Sequence, residues 1–95
     1  MEIKWLKKAL KNLDDEANFI AKENPVAARN TVQKILNHVD LLINNPSLGR
    51  PGRIHGTREL VIDNTSYIVP YRVNNNSVEI LRVFHTSRKL PEGWQ

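Results

Sequence analysis

Ninety-five residues, 40% of them apolar and 25% charged, give enough chain for one domain with one modest core. The absence of cysteine excludes a disulfide framework and a thiolate zinc site, and a formal net charge of +4 is too mild to point to nucleic acid by itself. No apolar run approaches the roughly 18 residues of a membrane span. The basic start MEIKWLKKALKNL is interrupted by charges every few residues, so it does not read as a signal peptide. These features lead us to expect a single cytoplasmic domain over 1–95 with no membrane contact.

Residues 2 to 5, EIKW, alternate polar and apolar side chains as a short strand does. From Leu6 the spacing changes, and Leu6, Leu10, Leu13, Ala17 and Ile20 follow the i, i+4, i+7 rule of an amphipathic helix. Asn24-Pro25 then marks a break and a restart, with Asn24 as N-cap and Pro25 at the first helical position. In the second helix Ala28, Val32, Ile35, Val39, Leu42 and Ile43 make the apolar stripe. It ends near Asn44-Asn45-Pro46, where proline forbids continuation. Two helices with so short a reversal form an antiparallel hairpin.

The next stretch, GRPGRIHGTRELVI at 49–62, sets three arginines, three glycines, a proline and a histidine ahead of a strand-like run. Glycine and proline mark the turns, and the arginines read as cations presented to an anionic partner. After it the period drops to two. Strands are expected at 57–63, 66–73 and 77–84, with turns at Asp63-Asn64-Thr65 and Asn74-Asn75-Asn76. Tyr67, Val69, Tyr71 and Val73 share one face of the middle strand, and Val78, Ile80 and Phe84 share one face of the last. Pro70 predicts a bulge or an unpaired position, because it has no N–H for a ladder. The expected architecture is β-α-α-β-β-β. In this α+β fold the helical hairpin covers one face of a mainly antiparallel four-stranded sheet. The tail HTSRKLPEGWQ is left to cover part of the other face, and that open face beside the arginine loop is the natural place for a partner.

Charge supports the same half. Residues 1–49 carry seven basic and six acidic side chains, a balance of +1; residues 50–95 carry seven and four, a balance of +3. Six of the later seven are arginine, whose planar fork suits phosphate and carboxylate. Among the histidines, His38 reads as structural or surface, and His55 belongs to the glycine-rich loop. His85 ends the last strand and is followed by Thr86, Ser87, Arg88 and Lys89. An imidazole there can exchange protons near neutral pH, and neighbouring cations can stabilise a phosphate in flight. No metal site is expected, since the histidines are scattered and no HxH or HExxH spacing occurs. Glu59, Asp63 and Glu79 read as exposed strand acids. Gly49, Gly52 and Gly56 do not open a helix, so no nucleotide-cradling loop is present. Of the aromatics, Trp5, Phe19, Tyr67, Tyr71 and Phe84 are expected in the core, with Tyr67 and Tyr71 packed together under the helices. Trp94 is an exposed docking group unless the tail folds back onto the open face.

NPSLGRPGR, GTREL, YIVPYRV and VEILRVFH, with a closing arginine, resemble the RelE/ParE superfamily of bacterial toxins over nearly the whole chain. The resemblance implies a growth-inhibiting toxin of a type II toxin–antitoxin module, held inactive in a hetero-oligomer by a cognate antitoxin that alone contacts operator DNA. No cofactor is implied. Two activities occur in the superfamily: inhibition of DNA gyrase by ParE-like members, and metal-independent cleavage of mRNA on the ribosome by RelE-like members. The sheet half reads as ParE-like. Where RelE-like members carry two lysines and an arginine, this chain has Glu59, Val61 and Ile68. Arg88 matches a RelE position that stabilises the transition state, Trp94 lies near the place of a functional tyrosine, and His85 matches a strand-end histidine found in both groups. The resemblance therefore favours gyrase as target, with a nuclease as the alternative. The catalytic set of that nuclease would be His85, Arg88 and Arg58. Arg50, Arg53, Arg58, Arg82 and Trp94 are expected to bind the target or the antitoxin.

Overall fold

Glu2–Trp5 forms β1, and its alternating exposed and half-buried side chains follow the pleat. The computed structural model describes residues 1–88, 90, 91, 93 and 94, so Lys89 of the His85 cluster lies outside the described residues. Helix α1 spans Lys7–Ala21 and α2 spans Pro25–Asp40; a 3₁₀ turn, Leu41–Ile43, extends α2 and buries Leu42. Asn24 caps α2 as expected, its side-chain oxygen accepting from the Ala27 N–H at 3.0 Å.

Among the described residues the sheet has six strands rather than the expected four. Arg50–Pro51 adds a two-residue edge strand, β2, beside β3 (Arg58–Val61), and the expected strand 77–84 is split into β5 (Ser77–Ile80) and β6 (Phe84–His85). Both pair with the long β4 (Tyr67–Asn74), and the order is β1-β5-β4-β3-β2. β1 returns to lie parallel to β5, with Trp5 opposite Ile80, while the other pairings are antiparallel.

Pro70 explains the split. Tyr71 pairs with Ile80 and Ile68 with Phe84, so two β4 residues, Val69 and Pro70, oppose three, Leu81 to Val83. The Pro70 carbonyl accepts from the Leu81 N–H at 2.9 Å. Its nitrogen lies on the same side of the strand with no proton to donate, and the ladder yields there as a bulge. The Val83 N–H, released from the ladder, donates to the Asn12 side chain at 3.1 Å. The extra residue also exchanges faces. Val78, Ile80 and Val83 enter the helix-side core, whereas Phe84 lies on the opposite face, against the expectation that it joins Val78 and Ile80.

The helix-side core joins Ala9, Ile35, Val39 and Leu42 to the inward residues of β3, β4 and β5. Its α1 stripe differs from the apolar spacing. Leu10 is half exposed and Ala9 fully buried, and Asn12 and Glu16 sit among the inward positions because each serves one hydrogen bond to the sheet. Ile43 and Phe19, expected inside, are exposed; Phe19 lies one residue off the inward Ile20. On the opposite face Ile68, Leu81, Phe84 and Trp94 form a second cluster, flanked by Leu6, Ile54 and Leu90. The tail therefore folds back, and Trp94 meets Phe84 edge-to-face with ring centroids 5.6 Å apart. Among the described residues no helix is long and apolar enough to cross a membrane.

Candidate functional site

The arginine loop is built around a buried carboxylate. Glu59, read from the sequence as an exposed strand acid, is 2% exposed. It accepts from Arg50 Nη2 at 3.3 Å and from the Arg53 backbone N–H at 3.1 Å, with Arg53 Nε at 3.4 Å. Two cations more than half exposed thus neutralise one charge that the fold hides. Glu79 is also less exposed than expected, and it pairs with Arg72 at 2.5 Å; Asp63 is exposed as read. The loop's near end is clamped by Tyr71, whose hydroxyl donates to the Pro46 carbonyl at 2.7 Å and accepts from the Gly49 N–H at 2.8 Å. Arg58 Nη1 donates to the Gly49 carbonyl at 2.8 Å. Gly52 N–H donates to the Thr57 carbonyl at 2.8 Å, and Gly56 takes a φ of +81°, which glycine adopts without strain.

A second cluster surrounds the β6 corner. His85 Nδ1 lies 3.3 Å from the Ser87 N–H, which can only donate, and 2.7 Å from the Ser87 hydroxyl. Nδ1 is therefore the acceptor and the neutral ring carries its proton on Nε2. The His85 ring stands edge-on to Tyr67 at 5.1 Å. Arg88 pairs with Glu16 and lies 5.0 Å from the Phe19 ring centroid, while Glu16 also accepts from the Tyr67 hydroxyl at 3.0 Å. Tyr67 and Tyr71 share the core, but their hydroxyls serve different elements: Tyr67 holds α1 and Tyr71 holds the loop.

This division gives a spectroscopic prediction. Burial first, and then the Glu16 hydrogen bond, pushes the Tyr67 phenol up to about 12; burial also raises that of Tyr71. A phenol raised above its unfolded value near 10 contributes stability that is complete below about pH 10. That contribution is lost as pH climbs through the folded value, about 12 for Tyr67. Only two tyrosines are present, so phenolate absorbance reads them alone. We expect a last ionisation step close to 12 that disappears in Tyr67→Phe, and thermal stability that falls above pH 10. Both phenols titrating at their ordinary value in the folded protein would contradict this.

On the sheet face away from the helices, the start of α1, the 54–57 loop and the returning tail enclose an open groove of about 590 Å³. Leu6, Ile54, Leu81 and Trp94 give it apolar walls, and Lys7, Lys8, Arg72 and Arg82 a cationic rim. Arg82 donates to the Leu81 carbonyl at 3.0 Å and lies 6.0 Å from the Trp94 ring centroid; burial lowers its pKa.

The residues singled out in the sequence thus fall into three places. Arg50, Arg53 and Arg58 hold the loop, Arg82 and Trp94 border the groove, and His85 and Arg88 share the β6 corner. Arg58 pairs with Tyr71 and His85 with Tyr67 on opposite sides of β4, about 13 Å apart along that strand, so the three nuclease candidates do not converge. His55 lines the groove and is exposed. His38 is structural: its Nδ1 lies 2.8 Å from the Lys34 carbonyl, and its Nε2 lies 3.4 Å from the Asp63 N–H, tying α2 to the β3–β4 turn. Sequence reasoning missed Lys7, Lys8 and Arg72 as groove residues. The adjacent Lys7-Lys8 pair was visible, but its position depends on the β1–β5 pairing.

A family model described as the ParE toxin of the type II toxin–antitoxin system, parDE, matches residues 3–90. The chain is 44% identical over 90 residues to the candidate toxin Y4kP of Sinorhizobium fredii (strain NBRC 101917 / NGR234), covering 95% of this chain and 93% of that protein. It is also similar to a solved chain of the chromosomal ParDE system from P. aeruginosa. That match has 31% identity and a TM-score of 0.80, with 90% of this chain and 95% of that one covered. A chain of the RelBE2 toxin–antitoxin complex from Mycobacterium tuberculosis shares the fold at a TM-score of 0.57 and 23% identity, with 92% of each chain covered.

Proposed function

Because this chain belongs to the ParE toxin family of type II toxin–antitoxin systems, we propose that it arrests growth by inhibiting DNA gyrase through surface contact, and that a cognate antitoxin neutralises it. The observation that carries the choice of target is the dispersal of the nuclease candidates. Attack of a ribose 2′-hydroxyl on the adjacent phosphate, with departure of the 5′-oxygen, needs a base, an acid and a cation within about 3 Å of the reacting atoms. Here Arg58 is spent on the Gly49 carbonyl, Arg88 pairs with Glu16, and the carboxylate of Glu59 stands where the nuclease relatives place a lysine. The contact surface on this reading is the exposed halves of Arg50 and Arg53 together with Arg82, while Arg58 and Trp94 hold the loop and the tail in place.

The test is the order of events after induction without antitoxin. In bacteria expressing the chain, thymidine and methionine incorporation are followed through the first minutes. DNA synthesis is expected to fail first, and the His85→Ala/Arg88→Ala variant is expected to keep most of its toxicity. Translation collapsing first, with toxicity abolished in a folded double variant, would establish the ribosomal nuclease instead.

A further inference from the structure

The two helices begin differently. Asn24 caps α2, but at the start of α1 the cap position is Leu6, with no polar side-chain atom; neither first turn carries an acidic residue. The first α-helical bond of α1 is the one from the Leu10 N–H to the Leu6 carbonyl at 3.0 Å. The N–H groups of Lys7, Lys8 and Ala9 therefore form the positive end of the helix dipole without an intrahelical acceptor. Lys7 and Lys8 add two full charges, and both residues line the groove, whereas Ala9 is buried in the helix-side core.

Trp94 supplies an independent sign. It borders the same groove and is 6% exposed, yet its indole N–H is buried with no acceptor among the described residues. Buried donors of this kind are normally satisfied, so one without a partner points to an acceptor supplied from outside. Among the described residues lining the groove none is acidic.

We propose that the start of α1 and the Trp94 indole N–H form a carboxylate-binding subsite for an acidic residue of the antitoxin, with an apolar neighbour of that residue seated on Leu6, Ile54 and Leu81. This rests on the neutralised-toxin reading and names the chemistry of its partner. The carboxylate lies against the α1 amides of Lys7 and Lys8, and a tilt of the indole lets the Trp94 N–H donate a hydrogen bond to it. Arg72 is already engaged by Glu79, so the two lysines carry most of the charge recognition. The apolar floor beside the anion site matches a peptide that places a leucine or valine next to an aspartate or glutamate. A nucleic-acid strand would require free aromatic faces for stacking, and Trp94 is already engaged by Phe84 and Arg82.

The ¹⁵N-labelled chain, titrated with the dipeptide N-acetyl-leucyl-glutamyl amide, tests this at the donors themselves. Saturable shifts are expected at the amides of Lys7 to Ala9 and at the Trp94 indole N–H. The glutaminyl analogue should produce almost none. Lys7→Ala/Lys8→Ala should weaken binding about tenfold, whereas Lys11→Ala, one turn further along and already paired with Asp15, should leave it unchanged. Equal shifts with the glutaminyl analogue, shifts confined to other residues, or tighter binding of a thymidine pentanucleotide at the same N–H groups would each overturn the proposal. A failure here leaves the gyrase reading standing, because that reading is decided by which synthesis stops first.

Discussion

Gly49→Ala is expected to destabilise the protein by about 3 kcal/mol, at the upper end of what overpacking a filled core costs. A methyl at Gly49 would sit 2.6 Å from a Tyr71 ring carbon, 2.8 Å from its hydroxyl and 3.0 Å from the Glu59 carbonyl oxygen. The ring has nowhere to retreat, since Tyr71 is fully buried between the sheet and the helices. If it shifts, it surrenders the hydrogen bonds to Pro46 and Gly49 that close the loop. Each such bond is worth about 1 kcal/mol net, and more when a buried donor is orphaned. In a chain of this size the change lowers the melting temperature by more than about 10 °C, readable by circular dichroism. An unchanged melting temperature would mean that the loop does not lie against Tyr71.

Glu59→Ala comes next, at about 2 kcal/mol. The carboxylate is almost fully buried while its two arginine partners are more than half exposed, so the pair is asymmetric. Deleting either arginine removes a screened contact and should cost less than about 1 kcal/mol. Deleting the carboxylate leaves the Arg53 N–H without its acceptor, strands two cations beside each other and opens space under the loop. Urea unfolding should therefore rank Glu59→Ala well below Arg50→Ala and Arg53→Ala in stability. Amide exchange in the variant should accelerate at Arg53 and in the turn closed by the Gly52–Thr57 bond. If all three substitutions cost the same, Glu59 is not the centre of the loop.

These two residues mark where the sequence stopped being legible. Periodicity located both helices, the Asn24 cap, β1, both turns of the sheet and the disturbance at Pro70, because each is a local matter of spacing or of a missing N–H. Burial of a charged residue is not local. Glu59 looks like any acid on an exposed strand until β2 and the loop fold over it, and nothing in GTREL announces that. Asn12 and Glu16 were hidden for the same reason: a polar side chain on an inward stripe is invisible to an apolar count, though each meets one specific donor on the sheet. Phe84 shows a third limit. The expected faces followed strict alternation, and one extra residue opposite Pro70 reversed everything beyond it.

The candidate site divides in the same way. Arg82 and Trp94, singled out as residue types, border the groove, which lies on the sheet face expected to be open. The groove itself needs Leu6, Lys7 and Lys8 from the N-terminal end beside Ile54 and Leu81. That juxtaposition exists because β1 crosses back to pair with β5, a contact between residues more than seventy positions apart in the chain.

We propose above that this chain acts on gyrase by binding rather than on RNA by chemistry. The most direct test adds the purified chain, free of antitoxin, to DNA gyrase with relaxed plasmid and ATP, and follows supercoiling on gels. Supercoiling should be lost as the chain is added, and still largely lost with His85→Ala/Arg88→Ala. Full supercoiling in the presence of an excess of chain that still arrests growth in cells would exclude gyrase as the target.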